Sequence, residues 1–351
     1  MREVLLRRLA NLDPETDSRS APDPALACLL HYYRLQHFTP KPADCGRQRL
    51  SLTHVKIAIT GSSGLIGTAL RASLAADGHE VVRLVRRPAR AGDEVEWDPA
   101  GGHLETSALD GVTAAVNLAG VGFGDKRWSD RYKTEILESR VAPTDLLSRT
   151  LAQLDSPPAV LVSASAIGVY PAGDEVMTEQ SAAGDEYQSS VCVDWEAATK
   201  PAEQAGIRVA HIRSGLVMAA HGGILKRTLL PFKFGVGGRI GSGRQYWSWI
   251  DLEDEVAAIR FLLDSDLSGP VNLTAPNPLP FGEVAKILGK VLHRPSFMVT
   301  PTFALKALLG AERTEALLLS GRRVVPDKLM KAGFEFRFPD FEASIRHQLK
   351  R

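Results

Sequence analysis

Residues 55–67 read VKIAITGSSGLIG, and the fold turns on them. VKIAIT (55–60) is a short apolar run rich in β-branched residues, which predicts a buried strand. Gly61, Gly64 and Gly67 follow at G-x-x-G-x-x-G spacing. They stand where the strand gives way to LIGTALRASLAADGH (65–79), whose apolar residues recur at helical spacing and stop at Gly78. A strand, a glycine turn and a helix in that order form a cradle for a pyrophosphate. The first glycine permits the tight turn, the second lets backbone approach the phosphates, and the third lets helix pack on strand. The N–H groups at the helix start then face the anion.

The same rhythm runs outward from this turn. EVVRLV (80–85), AAVNLAG (114–120), AVLVSAS (159–165) and RVAHIR (208–213) read as further strands, separated by helical patterns. Strands alternating with helices predict an α/β fold, a parallel sheet covered on both faces. No fixed-period repeat and no low-complexity tract interrupts it.

The end of the second strand selects the cofactor. A site for NAD places Asp or Glu there to accept from the ribose 2′-OH. Here Val85 is followed by Arg86 and Arg87, two guanidinium groups where a 2′-phosphate would lie, which predicts NADP(H). A solvated surface pair is the other reading of these arginines. Asp98, in EWDP, either caps the adenine amino group or holds a turn before proline.

Bulk properties narrow the partners. The chain has 351 residues, 44% hydrophobic and 24% charged, with a net charge of +1, so no field gathers nucleic acid or an anionic membrane. Apolar runs are too short to span a bilayer. Cys28, Cys45 and Cys192 show no paired spacing, which suits a reduced compartment, and with no secretory or transit signal the expected location is cytoplasmic. No His/Cys cluster has metal-ligand spacing. Residues 1–53 differ from the rest and are read as an extension. ALACLLHYYRLQHF (25–38) reads as one amphipathic helix there before the breaker TPKP, within either a partly disordered tail or the remnant of an upstream module.

Taken together, TGSSGLIG (60–67), NLAG (117–120), SASAIGVY (163–170) and WSWIDLEDEVAAI (247–259) resemble an extended short-chain dehydrogenase/reductase. The match is to its atypical, sugar-nucleotide epimerase-like subgroup of NAD(P)-dependent epimerase family proteins. KRW (126–128), ESRVAPT (138–144), VCVDWE (191–196), IRSGLV (212–217) and GVGGRIGSGRQYWSWI (235–250) carry the resemblance further, over about residues 55–348. It implies a Rossmann-like doubly wound sheet over about 55–220 and a smaller C-terminal substrate lobe mainly from 221–348. Gly61, Ser62, Ser63, Gly64, Leu65, Ile66 and Gly67 would line the pyrophosphate. Asn117, Leu118, Ala119 and Gly120 would run beside the adenosine and ribose, although Asn117 is equally placed to lock neighbouring strands. Ser163 and Ala164 would approach the nicotinamide, with Ser165 as the serine that orients a substrate oxygen.

In the parent superfamily a Tyr phenol moves the proton during hydride transfer, and a Lys four residues later lowers its pKa from near 10. Val191 and Trp195 occupy those positions here, and neither can do that work. Tyr170, five residues beyond Ser165, is the candidate substitute acid, with an aromatic wall as its other reading. Lys126 and Arg127 are candidate cations or a solvated pair, Glu196 a candidate acid or a paired helix carboxylate, and Cys192 a buried inert thiol. Arg239 and Arg244, in GVGGRIGSGR, either hold a substrate pyrophosphate or sit in a hairpin or loop, while Asp251 and Asp254 read as helix-start acids.

Two functions follow from these residues. The first is an NADP(H)-dependent oxidoreductase or epimerase on a small carbonyl, hydroxyl or nucleotide-sugar substrate. The second is a catalytically weak NADP(H)-binding sensor or scaffold. Family members labelled as cell-division inhibitors link that second reading to division.

Overall fold

A computed structural model describes residues 55–350. The expected N-terminal extension and its helix over 25–38, with Cys28 and Cys45, lie outside the described residues.

Seven strands form the central sheet: β1 (Lys56–Thr60), β2 (Glu80–Val85), β3 (Glu94–Glu96), β4 (Ala114–Asn117), β5 (Val160–Ala166), β6 (Arg208–Ser214) and β7 (Gly269–Leu273). Their order is β7-β6-β5-β4-β1-β2-β3 and every pair is parallel. The order reverses between β1 and β4, the crevice where doubly wound sheets bind nucleotides. The strand expected over 114–120 ends early, at Asn117. The Thr60 hydroxyl accepts from the N–H groups of both Leu118 and Ala119, at 3.0 and 3.1 Å, and turns that backbone out of the ladder.

Residue alternation along the strands fills two faces. Ile57, Ile59, Val116, Val162 and Ile212 point to one, where helices α1 (Leu65–Ala76) and, later in the chain, Leu252–Asp264 bring Leu70, Leu74, Ile259 and Leu262. Ala58, Ala115, Leu161 and Val209 point to the other, covered by Leu147 and Leu151 of α2 (Asp130–Ala152). Burial on both faces explains why the strands read as continuous apolar runs.

The remaining helices used below are α3 (Tyr187–Ala197), α4 (Gly223–Lys233), α5 (Leu252–Asp264), α6 (Phe281–Leu292) and α7 (Thr302–Leu309). A third core joins α4, α6 and the helix Phe341–Gln348 around Trp247, Trp249 and Phe281. Asp251 caps α5 by accepting from the Glu253 N–H at 2.9 Å and also accepts from Ser344, while Asp254 accepts from the backbone N–H groups of Arg337 and Phe338. These acids anchor the C-terminal segment. The segment 235–244 is not a hairpin: Gly238–Ile240 pairs in parallel with the distant Met298–Thr300.

Candidate cofactor and active site

The glycine turn is held by contacts that leave no room for a side chain. Gly61 has φ +62°, and a Cβ there would fall on the Leu118 carbonyl; one at Gly67 would fall on the Gly61 carbonyl. The first glycine therefore fits strand β1 against the β4 loop, and the third fits α1 against β1. Gly64 caps α1 in extended backbone and would meet only the Gly61 oxygen, at 3.2 Å, so its outer side is open. Beside it lies a cavity of about 420 Å³ lined by Gly61–Gly64, Arg83–Arg87, Trp97, Leu118–Val121, Ser139 and Pro143. These residues suit the adenosine and pyrophosphate half of a dinucleotide: donors at the start of a twelve-residue helix, a flat indole, and arginines at the far end. Leu65 and Ile66 pack their side chains on the core and are not part of the cavity wall.

The two predicted arginines take different parts. Arg87 forms a two-pronged pair with Glu94, at 2.8 and 2.6 Å, and Arg83 joins the same carboxylate. Hydrogen bonds, first from Arg87 and then from the Arg90 N–H, hold the Glu94 carboxyl down to about 2. Arg86 has no protein partner among the described residues and faces the cavity, which leaves its guanidinium for a phosphate. Asp98 serves its turn, accepting from the Ala100 N–H at 3.1 Å.

Asn117 and Ser163 are fully buried and do not line the cavity. Asn117 accepts from Thr60 and donates to Thr144 and Ser163, which ties β1, β4, β5 and α2 together directly beneath the crevice. This is the strand-locking placement the sequence allowed for Asn117. Ala164 follows half-buried, with its side chain packed against the core.

Ser165, one residue before the end of β5, stands opposite Arg213 of β6 in register. Its hydroxyl donates to Glu196 of α3 at 2.7 Å, and Arg213 clamps both oxygens of that carboxylate at 2.8 Å each. Burial pushes Glu196 up, but the guanidinium outweighs it, and the carboxyl lies below its ordinary range. Ser165 is itself buried, and because its proton goes to Glu196 its oxygen keeps its lone pairs free to accept.

The same chain of bonds corrects the reading of Tyr170. Its phenol is completely buried, accepts from Arg213 at 2.9 Å and donates to Asn272 at 2.7 Å. Burial raises its pKa despite the neighbouring Arg213, the opposite of what a proton donor at neutral pH requires. Tyr170 supports Arg213 from inside the core; it has no free face for a substrate.

Val191 and Trp195 pack where the superfamily's Tyr and Lys would stand. Val191 lies against Tyr132 and Ile136, and the Trp195 indole donates to Thr144 at 3.0 Å. The missing cation has a neighbour from another element. Arg140 of α2 stacks 5.0 Å from the Trp195 ring and 4.3 Å from Phe123, beneath Gly120. It donates to the carbonyls of Ile136 and Val121, while its Nε has no partner among the described residues. Burial lowers its pKa to about 10. Lys126 is taken up by Glu135, and burial raises the Cys192 thiol to about 11. Arg239 and Arg244 line a separate open surface pocket with Lys286.

Arg213 and Arg140 are residues of the candidate site that the sequence reading missed. Each stood in a motif, IRSG or ESRVAPT, but only pairing of β5 with β6 and packing of α2 on α3 bring them to the site.

Comparison with known proteins matches this architecture. The model of the NAD dependent epimerase/dehydratase family covers residues 57–273, and a domain of unknown function, DUF1731, covers 300–348. Epimerase family protein Mb2239 of Mycobacterium bovis is 44% identical over 287 residues, 81% of this chain and 94% of that protein. The human epimerase family protein SDR39U1, crystallised with NADPH, superimposes with a TM-score of 0.77 at 31% identity, covering 85% of this chain and 100% of that one. A nucleoside-diphosphate sugar epimerase from Corynebacterium glutamicum gives a TM-score of 0.70 at 37% identity, covering 84% of this chain and 58% of that one. With its glycine turn at the reversal of a parallel sheet and a family match over most of that sheet, this chain belongs to the NAD-dependent epimerase/dehydratase family.

Proposed function

We propose that the chain is an NADP(H)-dependent oxidoreductase or epimerase acting on a small carbonyl, hydroxyl or nucleotide-sugar substrate. The bound nicotinamide would supply or accept the hydride. The residues of this chain do the rest. Backbone around Gly61, Ser62, Ser63 and Gly64 and the start of α1 hold the pyrophosphate; Leu118, Ala119 and Gly120 wall the opposite side; Arg86 binds the 2′-phosphate, with Arg87 and Arg83 forming a cationic wall already paired to Glu94. NADPH in the crystal of the human relative supports this choice.

The observation that carries the chemistry is the Ser165–Glu196 bond of 2.7 Å. Ser165 accepts from a substrate hydroxyl, and as that proton arrives at Oγ the serine's own proton moves to the Glu196 carboxylate. In the reverse direction Glu196 returns it and Ser165 protonates the substrate oxygen. Arg213 keeps Glu196 ionised at rest, so the proton is held only transiently and is easily given back. Tyr170 positions Arg213.

Stopped-flow oxidation of bound NADPH across a panel of carbonyl compounds and nucleotide sugars tests this. A wild-type hit that falls by about 10²–10⁴ in Ser165→Ala supports the relay; a hit undiminished in that variant removes Ser165. The absence of a side chain at 191 and 195 able to move a proton supports a second reading, a cofactor-loaded sensor. Tight NADPH binding with no turnover over the whole panel is its signature. Among the described residues no helix is long and apolar enough to cross a membrane.

A further inference from the structure

A second cavity, of about 370 Å³, lies away from the glycine turn between α4, α6 and the segment 302–319. Its chemistry differs from that of the first. Among the described residues the wall contains no carboxylate, amide, imidazole, phenol or indole side chain; its polar side chains are two threonines and two arginines. One of these threonines, Thr228, already donates to the Ile224 carbonyl. Phe232 and Phe281 form the base.

The roof is unusual in what it fails to bury. Helix α7 has the sequence TFALKALL and buries none of its residues, and the π-helical turn Glu315–Leu319, EALLL, buries none either. Leu305, Leu309, Leu317 and Leu318 instead point at the cavity. Apolar side chains left half-covered over an apolar space are the mark of a binding surface, and π-turns recur at functional sites.

The charge at the edge is specific. Arg227 and Arg313 both donate to the Gly124 carbonyl, at 2.7 Å each. Arg227 is neutralised by Asp125 at 2.9 Å, whereas Arg313 has no carboxylate partner among the described residues. One uncompensated cation therefore borders an apolar cavity. The loop that carries Gly124 begins at Leu118–Val121, the wall of the cofactor cavity. The roof is also joined to α3, the helix bearing Glu196, through Gln188, which donates to the Ala316 carbonyl.

We propose that this cavity is the substrate pocket and takes a small apolar molecule bearing one anionic group, carboxylate or phosphate, that seats on Arg313. The inference rests on the NADP(H)-dependent reading above and names its substrate class. A nucleotide sugar fits poorly, because its many hydroxyls and base edge would be buried without partners.

The test is calorimetric titration of the full chain, with and without NADPH, using decanoate, decyl phosphate, decanol and UDP-glucose. Decanoate or decyl phosphate binds one to one, and the tighter of the two assigns the anion. Decanol binds about tenfold more weakly, the loss of one charge-assisted contact. Arg313→Met removes that difference. Leu309→Trp and, separately, Leu317→Trp fill the cavity and abolish binding of both anions, and unchanged NADPH affinity shows that each variant is folded. The proposal is overturned if neither anion binds, if both cavity-filling variants bind them as the wild type does, or if UDP-glucose binds and displaces them. NADPH binding without amphiphile binding sinks the pocket alone; amphiphile binding without NADPH binding sinks the cofactor reading alone.

Discussion

Glu196→Gln probes the site most directly. The carboxylate and its Arg213 partner have side chains only 14% and 10% exposed, so their mutual attraction is poorly screened. Neutralising one member of a buried pair costs about 3–5 kcal/mol. Glutamine keeps the volume and one acceptor for Ser165, and Tyr170 still accepts from Arg213, so the low end applies, about 3 kcal/mol. At roughly 2 °C for each kcal/mol in a chain of this size, Tm falls by about 6 °C. The pH dependence gives the sharper check. Burial raises the Glu196 carboxyl and Arg213 more than reverses it, so the folded value lies below the unfolded one. Its stabilisation is therefore complete above the ordinary glutamate value of about 4.3 and is lost as pH falls through the folded value. Urea unfolding of both proteins near neutral pH and in acid should show a gap that closes on acidification. Turnover on an identified substrate should fall as well, with Glu196→Asp recovering part of it. Equal stability of the two proteins at neutral pH, or a gap that widens in acid, would refute the reasoning.

Three further substitutions bear on neighbouring groups. Arg86→Ala removes the free guanidinium of the cavity and should weaken NADPH binding by about 10–100-fold while leaving NADH unchanged, read as paired dissociation constants. Tyr170→Phe leaves an Arg213 donor and the Asn272 oxygen without their partner; unfolding should show a loss of about 1–3 kcal/mol with the pH profile of turnover unmoved. Glu255, fully buried and accepting from Ser214 at 2.5 Å, is pushed up to about 8 by burial. Its folded value exceeds the unfolded one, so its contribution is most favourable below about pH 4.3 and declines as pH rises toward 8. Glu255→Gln should thus gain on the order of 1–3 kcal/mol relative to wild type between mildly acid and mildly alkaline buffer, measured by urea unfolding.

Much of the frame is local physics. The apolar runs from β1 to β6 and the glycine turn are legible because burial on two faces and close backbone approach each demand particular residues at adjacent positions. The reading failed where partners are distant in sequence. GVGGRIGSGR has the composition of a hairpin, yet its strand pairs with Met298–Thr300. Arg86 and Arg87 look equivalent along the chain; Glu94, arriving on β3, takes one and leaves the other. Tyr170 stands five residues from Ser165, but β7 brings Asn272 and β6 brings Arg213 to enclose its phenol.

By itself, then, the sequence determined a parallel α/β sheet with a dinucleotide turn after β1, and it determined that the Tyr and Lys of the wider superfamily are absent at Val191 and Trp195. Only the tertiary structure decided what stands in their neighbourhood: a serine whose proton is directed to Glu196, an arginine pair partner from the next strand, and a buried Arg140 stacked on Trp195. The physical reason is that a glycine's steric need is written at its own position, whereas a side chain's charge state and free face depend on what packs against it from elsewhere in the chain.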